Sequence, residues 1–276
     1  MRTQRLKTLT VTAIIVAGSS LRSADTPVQT AWGTLQNAAA DKSAEKRASA
    51  ARALGLITRD PKATAMAEKA LEDEKADVRA AAAASLGEMD ARASISKLRK
   101  ALSDKDPKVV LAAARSLVQL KDDPPAYEVF YAVLTGQRKT GEGLVASQLQ
   151  GLQNPKNLAE LGVGLVPFGG VGIFAFNALT KDDVSPVRAA AANALAKDPD
   201  PQTTKALVQA VSDKSWVVRV GALQAIAKRG DPTLLQSIQG AMSDDKDVVR
   251  YTASAAVITL TNLQRTSKPE QKKKPT

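Results

Sequence analysis

One eight-residue pattern recurs six times along this chain, and a chain that repeats itself at a fixed period must bury its apolar faces against its own neighbouring copies. The blocks run from Arg47 to Leu54, Arg79 to Leu86, Val110 to Leu117, Arg188 to Leu195, Arg219 to Ile226 and Arg250 to Val257. Their starts lie 32, 31, 78, 31 and 31 residues apart. The wide gap holds two periods and about sixteen further residues, so it reads as one degenerate unit carrying an insertion.

Taking each block's first residue as position zero, apolar or small side chains fall at −1, +3, +4 and +7; Val78, Val109, Val187, Val218 and Val249 occupy −1. At about 100° per residue these positions share one face, so each block predicts an amphipathic helix. Asp106-Pro107 and Ser185-Pro186 place a capping side chain before a proline at the helix start. A second signal, at Asp60-Pro61, Asp123-Pro124, Asp200-Pro201 and Asp231-Pro232, ends each block helix and begins another. The following helices carry Ile95, Leu98 and Leu102, then Leu207 and Val211, then Leu235, Ile238 and Met242. The predicted fold is all-α: an α-solenoid, or superhelix, of stacked antiparallel helix pairs with a period of about 31 residues. Forty-nine alanines against nine aromatics suit thin helices that approach closely.

The Asp-x-Val-Arg opening followed by small residues and a leucine, as in Asp77-Val78-Arg79 through Leu86, resembles the HEAT repeat, in particular the short alanine-rich PBS-lyase HEAT-like type. The resemblance covers roughly 42–137 and 182–264. It implies that the Val-Arg helix lines the concave side and that aspartates and arginines form a ladder between units. Arg79, Arg188, Arg219 and Arg250 would then be structural, with an interruption where Val110 replaces arginine. Ahead of the first unit, Val28, Ala31, Trp32 and Leu35 form a short cap helix within 25–41, with Trp32 closing the open end.

The formal charge of +11 invites a nucleic-acid reading until its location is considered. Residues 1–24, with Arg2, Arg5 and Lys7 before an apolar stretch from Val11 to Ala17, read as a bacterial-type signal peptide, which predicts export to the periplasm or beyond. The cleavage signal is imperfect, and an uncleaved amphipathic or anchoring N-terminus is the alternative. Residues 266–276, TSKPEQKKKPT, read as a disordered basic tail. Four positive charges lie in the first segment and a net three in the tail, which leaves +4 for the body; no nucleic-acid partner is expected.

The chain has no His and no Cys, which removes imidazole bases, thiol nucleophiles, cysteine zinc sites and disulfides. Acidic clusters at Asp104/Asp106, Asp182/Asp183 and Asp244/Asp245/Asp247 precede helices, where carboxylates cap free amides, and none has the glycine and distal glutamate of a calcium loop. No catalytic, metal-ligating or cofactor-binding residue is predicted, and no cofactor.

Candidate contact residues lie on the exposed row. Position +5, almost opposite the apolar face, holds Arg52, Ala84, Arg115, Asn193, Gln224 and Ala255; flanking position +1 adds Leu111, Val220 and Tyr251. Arg52, Arg115, Asn193, Gln224 and Tyr251 are the candidates, on a face that reads equally as a polypeptide-binding surface or an unused solvated one. Trp216 is a staple onto the following helix or a partner anchor.

Residues 138–181 hold the degenerate unit, and within them 162–179 read GVGLVPFGGVGIFAFNAL, uncharged, with Phe168, Phe174 and Phe176. The glycines lack the Lys-Ser/Thr of a phosphate loop. Two apolar arms, each too short to span a bilayer, flank Pro167 to Gly170. This hairpin either packs on the solenoid or, within 158–179, meets a partner protein or a membrane surface. Together these features predict a non-catalytic scaffold for a protein partner in the cell envelope. The alternatives are a bilin lyase-like enzyme, as the repeat type would imply, and a membrane-surface adaptor; a HEAT-like DNA glycosylase would need a basic groove that the near-neutral body lacks.

Overall fold

The computed structural model describes residues 26–122, 124, 125, 127, 129 and 185–267, and helices are numbered through these residues alone. The six N-terminal helices are α1 (Pro27–Ala39), α2 (Ala44–Leu54), α3 (Pro61–Ala70), α4 (Ala76–Glu88), α5 (Ile95–Ala101) and α6 (Pro107–Gln119). Five follow the second boundary: α7 (Ser185–Ala194), α8 (Pro201–Ala210), α9 (Trp216–Arg229), α10 (Leu235–Gln239) and α11 (Asp247–Ser267). The repeated blocks form α2, α4, α6, α7, α9 and α11. No strand occurs among the described residues.

The starts of these helices follow from side-chain chemistry. Asp60 accepts hydrogen bonds from the amides of Lys62 and Ala63, Asp106 from Lys108 and Asp200 from Gln202, each ahead of a proline at the first helical position. Four of the block helices, α2, α4, α6 and α9, are followed by one repeated backbone feature. Arg59, Asp90, Lys121 and Gly230, eleven or twelve residues after position zero, all have φ between 56° and 70°.

Block helices pack against one another from unit to unit, α2 on α4 on α6 and α7 on α9 on α11, whereas the intervening helices pack chiefly on block helices. The block helices are therefore the inner layer, and small residues let them come close. A Cβ on Gly87 would lie 2.7 Å from the Ser116 Cβ, and one on Gly221 would lie 2.8 Å from the Ala189 Cα. Ser85 donates to the carbonyl of Ala51 at 2.6 Å, and Ser116, one unit later, donates to Ala83 at 2.8 Å. Each bond satisfies a buried hydroxyl and ties one unit to the last.

The arginine–aspartate ladder is present. Arg47 grips Asp73 through two nitrogens at 2.7 and 2.9 Å, and Arg79 grips Asp104 at 2.7 and 2.8 Å. Arg188 pairs with Asp213, and Arg219 with Asp244. Arg47, Arg79 and Arg219 also donate to carbonyls in the turn before their own helices, so each guanidinium joins two successive turns. Arg250 pairs with Asp247 and donates to the Asp244 carbonyl. Position zero of α6 is the buried Val110, and in that unit Arg99 of α5 reaches Asp122.

The arrangement of the two ends differs from the open superhelix read from the sequence. Helix α11 packs on α9 and α10 and also on α1 and α2. Thr259 donates to the carbonyl of Leu56 at 2.9 Å, Asn262 donates to the Asp60 carboxylate at 3.0 Å, and Lys46 lies 3.8 Å from Asp247. Residues 251–260 are consequently buried on every side of the helix. Trp32 packs against the core with the Lys62 ammonium 4.4 Å from its ring centroid, and the end it was expected to close is covered by α11.

Candidate functional site

An inner helix touches a neighbour on each side and an outer helix behind, and its remaining face forms one narrow stripe. Position +5 occupies it in most units: Arg52, Ala84, Arg115 and Gln224 are each half-buried. Asn193 is 4 % exposed, donates to the Ala189 carbonyl and to Gln224 at 3.3 Å, and so joins the stripes of α7 and α9.

Two further residues, unrecognised in the sequence, belong to this stripe. Glu88 on α4 and Lys228 on α9 stand at +9, one helical turn beyond +5. Lys228 donates to Asn193 at 3.4 Å, and the side chain of Glu88 lies over Gly55, where a Cβ would be 2.5 Å from its Oε2. Position +9 flanks +5 on the helical wheel, which puts both residues beside the stripe without marking them off from ordinary solvated charges.

Glu88 is exposed and Arg52, Arg115, Gln224 and Lys228 are half-buried, so the stripe meets solvent on one side and protein on the other. Crowding by surrounding protein pushes the Glu88 carboxyl above its ordinary range, against the opposing pull of Lys228 and Arg115. The same crowding lowers the Lys228 ammonium, which Glu88 partly offsets. It also lowers the Arg52 guanidinium, against Asp77 and Glu45. Charged groups of both signs thus stand along the stripe, close enough to act on one another.

Other candidates fall elsewhere. Tyr251 is 5 % exposed and is not a surface residue: +1 faces the adjoining inner helix, and in α11 that side is closed by the first unit. Leu111 and Val220 are buried for the same reason. Trp216 is half-buried against the core, as a staple would be. Val187 is 67 % exposed although its counterparts Val78, Val109, Val218 and Val249 are buried. Phe168, Phe174, Phe176, the whole 158–179 segment, residues 1–24 with their expected signal peptide, and residues 268–276 lie outside the described residues.

The acidic clusters are occupied by structure. Asp104 accepts from Arg79 and from the Asp106 amide; Asp244 accepts from Arg219 and the Lys246 amide. Asp182 and Asp183 lie outside the described residues, among which no group of acidic side chains could hold a metal ion. A shallow, open depression of 460 Å³ lies between the Ala196–Pro199 and Arg229–Pro232 turns, and Arg229 there donates to the Asp198 carbonyl at 2.6 Å. No described helix is long and apolar enough to cross a membrane.

A family model for HEAT repeats matches residues 33–118, 65–139 and 174–258, well over half of the chain. The chain is a HEAT-repeat protein. None of the curated proteins matches it significantly. Among solved structures, this HEAT-repeat chain is similar to the complex of CpcE and CpcF of phycocyanin lyase from Nostoc sp. PCC7120, at 21% identity over 92% of this chain and 99% of that one, with a TM-score of 0.34. It is also similar to human deoxyhypusine hydroxylase in complex with glycerol, at 18% identity over 86% of both chains and a TM-score of 0.32. An archaeal HEAT-like repeats protein from Thermococcus onnurineus NA1 aligns at 15% identity over 87% of this chain and 98% of that one, with a TM-score of 0.25.

Proposed function

We propose that this HEAT-repeat chain is a non-catalytic scaffold that holds a polypeptide partner against its inner stripe, and that it works in the cell envelope after export. The observation that carries the reading is the stripe itself: Arg52, Glu88, Arg115, Asn193, Gln224 and Lys228, drawn from five inner helices, stand at positions +5 and +9, with Lys228 and Arg115 near enough to Glu88 to act on its charge. Long polar side chains among small ones suit recognition of a polypeptide, since they can bond its backbone while the small ones let it approach. The structural use of the described acidic clusters supports the absence of catalysis by this chain, and the basic, then apolar N-terminus supports export.

A photo-reactive amino acid at Ala84, in the middle of the stripe, tests the reading when compared with one at Lys100 on an outer helix. Irradiation in the native envelope is expected to give a protein adduct of one defined mass from position 84 and none from position 100. Equal labelling from both positions, or none from either, contradicts it.

A further inference from the structure

The contact between α11 and the first hairpin bears on how the whole chain holds together. An open repeat array touches only its nearest neighbours, so its end units can fray independently of the rest. Here both end units are covered by each other. Helix α11 is buried on all sides from Tyr251 to Leu260, and Thr259 and Asn262 bond to groups 203 and 202 residues earlier.

The closure is also adjacent to the stripe. Leu56, whose carbonyl accepts from Thr259, directly follows Gly55, over which Glu88 lies. Lys228 belongs to α9, which packs on α11; Glu88 belongs to α4, which packs on α2. Through the described residues, α11 is the bridge that brings α9 and α4 into one neighbourhood. We infer that docking of α11 on the α1–α2 hairpin is the keystone that makes the two ends one cooperative body, and that the face shared by Glu88 and Lys228 exists only while α11 is docked.

This inference is independent of the partner reading, and the chain's two tryptophans test it. Trp32 reports on α1 and Trp216 on α9. In urea, full-length Trp216→Phe and Trp32→Phe proteins, each with one remaining reporter, are expected to unfold at the same midpoint, coincident with the loss of helicity. Adding Thr259→Val and Asn262→Ala moves the Trp32 transition to lower urea by about 0.5 M and separates it from that of Trp216. In the same variant the Glu88 carboxyl, followed by carbon NMR, titrates back toward the ordinary glutamate value. Separate transitions in the parent chain, or coincident ones and an unmoved Glu88 titration in the variant, overturn the inference. Should that double variant fail to fold, Asn262→Ala alone serves, with the same expected order of transitions and the same contrary results.

Discussion

At the scale of single residues, backbone conformation and local charge decide most of what can be measured. Lys121 occupies the left-handed region at φ 66°, where Gly230 stands one unit from the C-terminal end. Its exposed side chain loses little on removal, so Lys121→Gly is expected to stabilise the fold by about 0.5 kcal/mol, read from the urea midpoint. Glu88 tests the stripe. Its folded pKa is raised, so ionisation above the ordinary 4.5 weighs against the folded state, and that cost fades as pH falls. Glu88→Gln should therefore match or exceed the parent's urea midpoint at pH 7, with the difference disappearing in acid. Arg52, Arg115, Asn193 and Gln224 could be placed from the sequence because +5 is opposite the apolar face. Glu88 and Lys228 could not be singled out, since a charged residue at a helix end looks the same on a solvated face as in a crowded concavity. Tyr251 was misplaced because the helical wheel does not show which sides its neighbours cover.

At the scale of the element, the ladder sets how one helix pair meets the next. Arg79 and Asp104 are both largely buried and doubly hydrogen-bonded, and removing one partner strands the other. Asp104→Ala is expected to cost about 3 kcal/mol in denaturant unfolding. The ladder also fixes the acid limit. Arg47 holds the Asp73 carboxyl, and Arg188 the Asp213 carboxyl, below the ordinary 3.8. With folded values depressed, their stabilisation is complete above the ordinary value and is lost as pH falls through the folded ones, so the thermal midpoint should drop steeply below about pH 4. Ladder, caps and helix pairs were legible because each is written in residues that recur every 31 positions. The serine bonds across units were not: Ser85 and Ser116 share position +6 with alanines in the other four units, so two occurrences carry no period.

At the scale of the molecule, α11 docks on the α1–α2 hairpin, and nothing local in the sequence announces it. Curvature accumulates from small rotations at each unit-to-unit contact, and these depend on how closely Gly87, Gly221 and the alanines let helices approach. Whether the ends meet is a property of that sum. The closure brings units at opposite ends of the sequence around one stripe, on which the proposed scaffold role depends. Its most direct test is zero-length carbodiimide cross-linking of the native monomer, read by peptide mass. Lys97–Glu68 at 2.7 Å and Lys108–Asp77 at 3.4 Å join neighbouring units and serve as internal controls. The closed solenoid predicts a further linked peptide joining Lys46 to Asp247. Recovery of both control links without the Lys46–Asp247 peptide would contradict it.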